Sequence, residues 1–430
     1  MKRIRPVLGI IISLFLLAVC VTPQARTILS LPANQKVVVG QTCFIPVKLP
    51  PQLDNKIEMK VLRPSQSVFA APQESPIAVS HNADGYQITG VKPGVVDVEF
   101  KLLGIIPIKS ISVEALPTRR LIPGGHSIGV VLQSRGIMVV GYAPVRGVDG
   151  QKSYPAREQG VALGDLILQA NDKAVNSEED LARAIDEEKG QLTTLTIKRK
   201  NETLAIPVKA QFCPETNRYR IGLYVRDGVV GVGTLSFWDP ESKGFGALGH
   251  IILDADTKQG IDVLQGKIVS ASIQSIKPGT PGHPGEKIGI FNAQGAIEGS
   301  IAKNSYYGIY GQTTRDVKNP LVESSLEVAY AHQVQLGAAQ IYTVINGEEI
   351  EKFDIYIEKL YPVGDSGKGM VIRISDPRLL NMTGGIIQGM SGSPIIQDSR
   401  IVGAITHVFL NDPSRGYGIY MDQMLSELQF

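Results

Sequence analysis

The feature that most constrains this chain is a glycine- and serine-rich segment at residues 389–394, GMSGSP. An apolar run, a polar turn at 397–400 and a second apolar run at 401–405 follow it, which predicts a loop leading into a β-hairpin. Glycine tolerates positive φ, so this loop can turn tightly and point two main-chain N–H groups at one oxygen. Ser391 is therefore a candidate nucleophile, with the N–H groups of Gly389 and Ser391 as candidate oxyanion donors. The alternative is a hairpin loop without chemistry.

A nucleophilic serine needs a base, and the chain has six histidines. His250 ends a glycine-rich apolar run and lies 141 residues before Ser391, which suits a histidine on one barrel and a serine on a second. His407 is the rival, because it follows Thr406 on the strand predicted after the nucleophile. We expect Thr406 and His407 to line a substrate cleft there. Of the other histidines, His81 and His126 lie in other predicted domains, His283 lies in a proline- and glycine-rich turn, and His332 lacks a group to orient its ring.

The third member of a serine triad accepts a hydrogen bond from the far nitrogen of the base and fixes its tautomer. Spacing alone does not choose this residue, since triads are defined in space. The aspartates that remain open include Asp316, Asp354, Asp365 and Asp376. Each of them could equally be an aspartate of a surface turn.

A second pattern lies upstream, at residues 160–171, GVALGDLILQAN. It resembles the Gly-x-x-x-Gly-Asp-x-Ile-x-x-x-Asn core of PDZ domains. Ser177 is a predicted N-cap, ahead of a helix whose apolar face holds Leu181, Ala184 and Ile185. We therefore predict a PDZ domain over residues 118–210.

The peptide-binding site predicted for this domain is a loop that consists of Ser127, Ile128, Gly129 and Val130. PDZ domains bind a peptide end at this place, where loop amides capture it and the peptide adds a β-strand. The alternative is a PDZ-shaped spacer whose groove binds nothing.

The N-terminus carries a targeting pattern. Basic residues within the first five positions precede an uncharged apolar run from Val7 to Thr22. This is typical of a signal peptide or an N-terminal membrane anchor, which we assign to residues 1–25. Residues 34–115 alternate as strands and predict a β-rich N-terminal domain, and residues 217–430 remain for a C-terminal domain that holds His250 and Ser391.

A targeting segment, a PDZ domain and a C-terminal peptidase, in this order, resemble the stage IV sporulation protein B peptidases of endospore-forming bacteria. The resemblance covers most of residues 118–430 and rests on segments 121–125, 246–250, 387–394 and 406–413. It implies a mainly β fold: a chymotrypsin-like double β-barrel peptidase preceded by a PDZ domain and a small N-terminal β domain. In that family the triad runs His, Asp, Ser, with the aspartate shortly before the nucleophile. The resemblance therefore implies His250, Asp376 and Ser391.

Composition excludes several other functions. A net charge of +2 without a dense basic stripe argues against a nucleic-acid partner. Cys43 and Cys213 lie in different predicted domains and lack the spacing of a zinc site. The glycines at 228–233 are not followed by the Gly-Lys-Ser/Thr of a phosphate loop. We expect neither a metal nor a cofactor.

The resemblance implies an exported serine endopeptidase of sporulation signalling. It would pass from the forespore to the intermembrane space, and be membrane-associated through its N-terminal segment or released after cleavage. There it would cut a regulator of a membrane-embedded sigma-factor processing complex, and would also cleave itself. Its partners would be that protein substrate and a peptide or C-terminal ligand of the PDZ groove. The alternatives are a non-catalytic PDZ scaffold and a general quality-control protease of the envelope.

Overall fold

The computed structural model describes residues 33–46, 57–62, 75–82, 85–102, 104–200, 202–292, 294–364 and 367–428. The chain divides into two compact units, Met1–Arg119 and Arg120–Phe430. The predicted signal or anchor segment, residues 1–25, lies outside the described residues. Within the ranges given above, no helix has the length and apolar character that crossing a membrane requires.

The first unit is built from two β-sheets. Its strands are β1 (Asn34–Val38), β2 (Thr42–Pro46), β3 (Ile57–Leu62), β4 (Ile77–Asn82), β5 (Gly85–Gly90), β6 (Gly94–Leu102) and β7 (Ile106–Leu116). One sheet has the order β1-β7-β6-β3 and the other the order β2-β5-β4. Alternate residues of β6, namely Val96, Val98 and Phe100, enter the core between the sheets, because successive strand side chains point to opposite faces.

The second unit holds the PDZ and peptidase segments. Its strands are β8 (Arg120–Pro123), β9 (Ser127–Tyr142), β10 (Val145–Arg146), β11 (Lys152–Ser153), β12 (Leu166–Ala170), β13 (Lys173–Ala174), β14 (Leu192–Arg199), β15 (Glu202–Lys209), β16 (Gln211–Cys213), β17 (Arg218–Arg220), β18 (Leu223–Trp238), β19 (Gly244–Ala247), β20 (Val263–Lys277), β21 (Glu286–Asn292), β22 (Glu298–Ser305), β23 (Gly308–Thr313), β24 (Leu326–Val328), β25 (Gly337–Val344), β26 (Ile350–Leu360), β27 (Met370–Ile374), β28 (Pro394–Gln397), β29 (Arg400–Phe409) and β30 (Asp412–Tyr420). Its helices are α1 (Pro155–Glu158), α2 (Glu178–Glu187), α3 (Pro377–Thr383), α4 (Met421–Leu425) and a 3₁₀ turn, Ala331–Gln333.

Six antiparallel strands close a first barrel. They follow the order β9-β18-β19-β23-β22-β20, and β20 pairs back onto β9. Alternate residues of β9, namely Ile128, Val130 and Leu132, are buried in its core together with Leu235 of β18. The base candidate His250 follows β19 directly, so this barrel positions it.

A second barrel closes in the same way. Its strands follow the order β25-β26-β27-β30-β29-β28, and β28 pairs back onto β25, again antiparallel throughout. Isoleucines from four of its strands, Ile341, Ile355, Ile372 and Ile395, fill the core. The segment that carries Ser391 enters β28. The predicted chymotrypsin-like double barrel is therefore confirmed, with the base candidate and the nucleophile candidate on different barrels.

The PDZ part lies at the far ends of β9 and β18. Its sheet contains β12, β14 and β15, and β12 pairs with Ile137 and Met138 of β9. Helix α2 begins as the sequence predicts, because the Ser177 side chain accepts a hydrogen bond from the Asp180 N–H at 3.1 Å. Its apolar face, with Leu181 and Ile185, packs on this sheet. PDZ and peptidase therefore share two continuous strands of 16 residues each.

Candidate active site

The nucleophile loop, residues 388–393, turns on two glycines. Gly389 has φ +92° and Gly392 has φ +96°, values that L-residues with a side chain rarely adopt. A Cβ atom on Gly392 would also collide with the carbonyl oxygen of Thr234. The glycines are therefore required by the turn that presents Ser391.

Two N–H groups of this loop are left without an acceptor. The other N–H groups of its turn are used: those of Met390, Gly392 and Ser393 donate to the carbonyls of Ile387, Ile405 and Met390. Among the residues that the structure describes, the N–H groups of Gly389 and Ser391 have no hydrogen-bond acceptor. Both remain available to a developing oxyanion, which is the role predicted for them.

The hydroxyl of Ser391 rests on the main chain of β29. Its Oγ donates a hydrogen bond to the carbonyl oxygen of Thr406 at 2.7 Å. The pairing of β29 with β30 shifts register between Ile405 and His407, so a bulge is centred on Thr406. The bulge aims this carbonyl at the nucleophile, which places Thr406 beside Ser391.

His250 lies close to the same strand. A Cβ atom on the preceding Gly249 would lie 2.9 Å from the side chain of Thr406. The Nδ1 atom of His250 lies 2.9 Å from the carbonyl oxygen of Ile251. Because a carbonyl only accepts, Nδ1 carries the proton, and Nε2 of the neutral ring is an acceptor. Burial lowers the pKa of His250 and favours this neutral form.

His407 lies beside this base. The ring centroids of His250 and His407 are 5.0 Å apart, with an interplanar angle of 42°. Burial, and to a smaller extent the neighbouring His250 and Lys368, lower the pKa of His407 to about 4. The structure thus brings Ser391, His250 and His407 together around Thr406.

Asp376 has a different role from the one that the family pattern implies. It is the N-cap of α3: its Oδ1 accepts the Arg378 N–H at 2.9 Å, and its Oδ2 pairs with the Arg378 guanidinium at 3.0 Å. Burial opposes ionisation, but the bonds from Arg378 outweigh it and lower the pKa of Asp376. Within the described residues no hydrogen bond or ion pair joins Asp376 to His250. The Ile251 carbonyl fixes the tautomer of the base instead.

The physical reason for this correction lies in the local sequence. An aspartate followed by proline is a strong helix start, because proline fits the first helical position and the carboxylate accepts a free N–H. The other aspartates left open are also engaged or outside the description. Asp316 pairs with Lys243 at 3.9 Å, Asp354 accepts from Gln340 at 3.0 Å, and Asp365 lies outside the described residues.

Three residues that sequence reasoning missed hold this site. Thr234 of β18 bonds to the nucleophile loop, its Oγ1 donating to the Gly389 carbonyl at 2.7 Å. Lys287 of β21 packs its stem against Gly389, and its N–H donates to the carbonyl of Gln388 at 3.0 Å. Asn304 binds the segment after the base, with its side chain bonded to both main-chain groups of Ile252. No local motif marks these residues, since each acts across a long sequence separation.

The peptide-binding loop predicted at Ser127, Ile128, Gly129 and Val130 is not a loop. These residues begin β9, where β18 pairs along one edge and β20 pairs with residues 128–130 along the other. A backbone paired on both edges cannot add a peptide strand. Ile128 and Val130 are buried in the first barrel, and Phe291 covers Gly129. The prediction was wrong because an apolar-Gly-apolar pattern also suits a barrel strand.

The same pattern recurs beside helix α2. Ile221, Gly222 and Leu223 lead into β18, and Gly222 has φ +76°. A cavity of about 130 Å³ lies between this segment and the Leu181 and Ile185 face of α2. We call it the PDZ groove. PDZ domains bind an extended peptide by adding it to a sheet edge as a further strand.

Comparison with known proteins agrees with this architecture. The SpoIVB peptidase S55 family matches residues 217–425, and the PDZ domain family matches residues 127–210. No curated protein matches the chain.

Two solved structures show only low similarity to this chain. The PDZ domain of the SdrC-like protein of Listeria monocytogenes has 19% sequence identity to it and covers 22% of this chain and 90% of its own, with a TM-score of 0.18. The Rv3671c protease in its inactive form has 11% identity and covers 46% of this chain and 85% of its own, with a TM-score of 0.28.

The family matches fix the order of the two domains. The PDZ domain precedes the peptidase domain, as the sequence predicts, and the two together indicate a protein or peptide substrate. The chain therefore carries a SpoIVB peptidase S55 domain at residues 217–425 with a PDZ domain ahead of it, which confirms the family resemblance that the sequence predicts.

Proposed function

We propose that this peptidase is a serine endopeptidase with Ser391 as nucleophile and His250 as base. The observation that carries the proposal is the nucleophile loop itself. Among the described residues, it leaves the N–H groups of Gly389 and Ser391, on either side of Met390, without acceptors. His250, whose Nε2 is an acceptor, lies close to β29, the strand to which Ser391 donates its hydroxyl hydrogen bond. A loop of this kind stabilises a tetrahedral oxyanion.

The proposed reaction begins when the Ser391 hydroxyl leaves the Thr406 carbonyl and donates to Nε2 of His250. Oγ attacks the peptide carbonyl carbon, and the proton passes to Nε2 as the C–O bond forms. The two free N–H groups hold the oxyanion. His250 then gives its proton to the leaving amine, and water repeats the sequence to release the acyl group. The Ile251 carbonyl keeps Nδ1 protonated throughout.

The family points to the biological setting of this reaction. We propose that the protein is exported from the forespore and cuts a regulator of a membrane-embedded sigma-factor processing complex in sporulation signalling. Self-cleavage in the N-terminal part belongs to the same proposal. The PDZ groove supports it physically, since a groove of this form suits a peptide segment of a partner or of this chain.

Labelling with a fluorophosphonate tests the reaction class. Wild-type protein should be labelled at Ser391, and Ser391→Ala should neither label nor cleave. Digestion of unfolded casein is a second readout, because a signalling enzyme should cut few sequences while a quality-control protease cuts many. Absence of label on folded wild type would favour the non-catalytic PDZ scaffold.

A further inference from the structure

Thr234 connects both halves of the candidate site. It lies in β18 of the first barrel and is fully buried. Its Oγ1 donates to the Gly389 carbonyl at 2.7 Å, and its N–H donates to the Ser391 carbonyl at 3.0 Å. Its own carbonyl accepts the Leu248 N–H at 3.2 Å, two residues before His250. One residue of the first barrel therefore holds the loop of the second.

The carbonyls that Thr234 holds belong to the two residues whose N–H groups are free. Fixing the carbonyl of a residue fixes its ψ angle and so limits rotation of the peptide planes around it. The neighbouring planes are held from other directions, since Gln388 O accepts from Lys287 and Met390 O accepts from Ser393. Without the Thr234 hydroxyl, the Gly389 carbonyl would lose a buried partner, and only the bond from the Met390 N–H to the Ile387 carbonyl would still hold that peptide plane.

We propose that Thr234 is a positioning residue for the oxyanion site, acting through its hydroxyl on Gly389. This rests on the serine peptidase mechanism proposed above. Thr234 touches no reacting atom. Its hydroxyl keeps the N–H groups of Gly389 and Ser391 convergent before substrate arrives, and its carbonyl ties the same loop to the chain that carries His250. Preorganised donors of this kind supply a large share of transition-state stabilisation.

Three substitutions at one position separate the hydroxyl from the volume of the side chain. Thr234→Val keeps the shape and removes the hydroxyl, Thr234→Ser keeps the hydroxyl, and Thr234→Ala removes both hydroxyl and methyl. Ser236→Ala is the matched control, because Ser236 is buried on the same strand and its hydroxyl has no hydrogen-bond partner in the part of the chain that the structure describes. Each full-length variant is assayed for peptide hydrolysis and for the rate of fluorophosphonate labelling at Ser391.

We expect Thr234→Val to lower kcat by about 10- to 100-fold with KM nearly unchanged, somewhat less than the loss of an oxyanion donor itself. Thr234→Ser and Ser236→Ala should stay within a few-fold of wild type. Labelling rates should fall in the same order as kcat. If Thr234→Val does not fold, the Ser and Ala variants decide, since they differ by the hydroxyl alone.

Two results overturn the inference. Wild-type kcat in Thr234→Val would show that the hydroxyl does not position the loop. Equal losses in the Ser and Ala variants would assign the effect to the methyl group. A failure of the proposed serine peptidase mechanism gives a distinguishable result. In that case the folded wild-type protein would itself react with neither the peptide substrate nor the fluorophosphonate.

Discussion

Replacing Lys287 with methionine should stabilise the second unit at neutral pH and remove part of its pH dependence. The side chain is buried, and its Nζ donates to the Thr343 hydroxyl at 2.8 Å. Burial lowers the pKa of this amine from 10.5 to about 7. Between these two values the unfolded chain binds a proton that the folded chain does not. The free energy of unfolding therefore rises with pH across this window.

The magnitude follows from this one proton. A difference of one bound proton changes the free energy of unfolding by about 1.4 kcal/mol per pH unit. Between pH 8 and pH 10 the wild type should gain about 2.5 kcal/mol relative to Lys287→Met, because all other groups are shared. The advantage of the variant thus falls as the pH rises above about 7 and is largest below that value, where both states of the lysine bind the proton. The methionine side chain is nearly as long as the apolar part of the lysine side chain, so the packing against Gly389 of the nucleophile loop is retained.

The assay is urea unfolding at several pH values, followed by the fluorescence of Trp238. This is the only tryptophan of the chain, and it is buried in β18 with its Nε1 bonded to Thr313 at 2.8 Å. Its signal therefore reports the first barrel, and Lys287 lies on β21, which pairs with strand β20 of that barrel. The control is Lys267→Met, an exposed lysine on β20, whose stability should follow that of the wild type at every pH. A stability difference between wild type and Lys287→Met that stays constant from pH 8 to pH 10 would refute the reasoning.

Three further predictions concern the site and the groove. His250→Ala should be as inactive as Ser391→Ala, with little further loss in the double variant, because the effects of residues in one catalytic unit are non-additive. His407→Ala should keep measurable turnover in the same hydrolysis assay. The reverse order of the two defects would assign the role of base to His407. Asp376→Ala should lower the free energy of unfolding by about 1–2 kcal/mol, because α3 loses its N-cap. If urea unfolding is unchanged and turnover is abolished, Asp376 would instead be the third member of the triad. Ala182→Arg, which fills the PDZ groove, should impair processing of a protein target more than hydrolysis of a short peptide, and equal losses in the two assays would make the groove only structural.

Local chemistry made much of this molecule predictable. A glycine turn ahead of a hairpin and a Ser–x–x–Asp helix start are patterns within a few residues, so Ser391, Gly389 and the start of α2 followed from the sequence. Contacts across long separations did not. Thr234 lies 155 residues from Gly389 and reaches it only because two barrels meet there.

The predictions for the PDZ loop and for Asp376 failed for the same reason, because one local sequence pattern can serve two structural roles. Apolar-Gly-apolar occurs at 128–130 and again at 221–223, and only the fold shows which copy faces α2. Asp376 precedes a proline shortly before the nucleophile, and such a residue can orient a base or cap a helix. Its bonds to Arg378 show the second use.

The strands shared by the PDZ and peptidase parts mean that the peptidase cannot be isolated by cutting the chain between them. A fragment that starts at residue 217 lacks β9, so β18 and β20 would face solvent as unpaired edges and invite aggregation. Loss of activity in such a fragment would report an opened barrel and nothing about peptide binding by the PDZ part. The proposed self-cleavage in the N-terminal part meets the same constraint. A cut that releases an intact second unit has to fall before Arg120, where β8 begins to pair with β18 and β24.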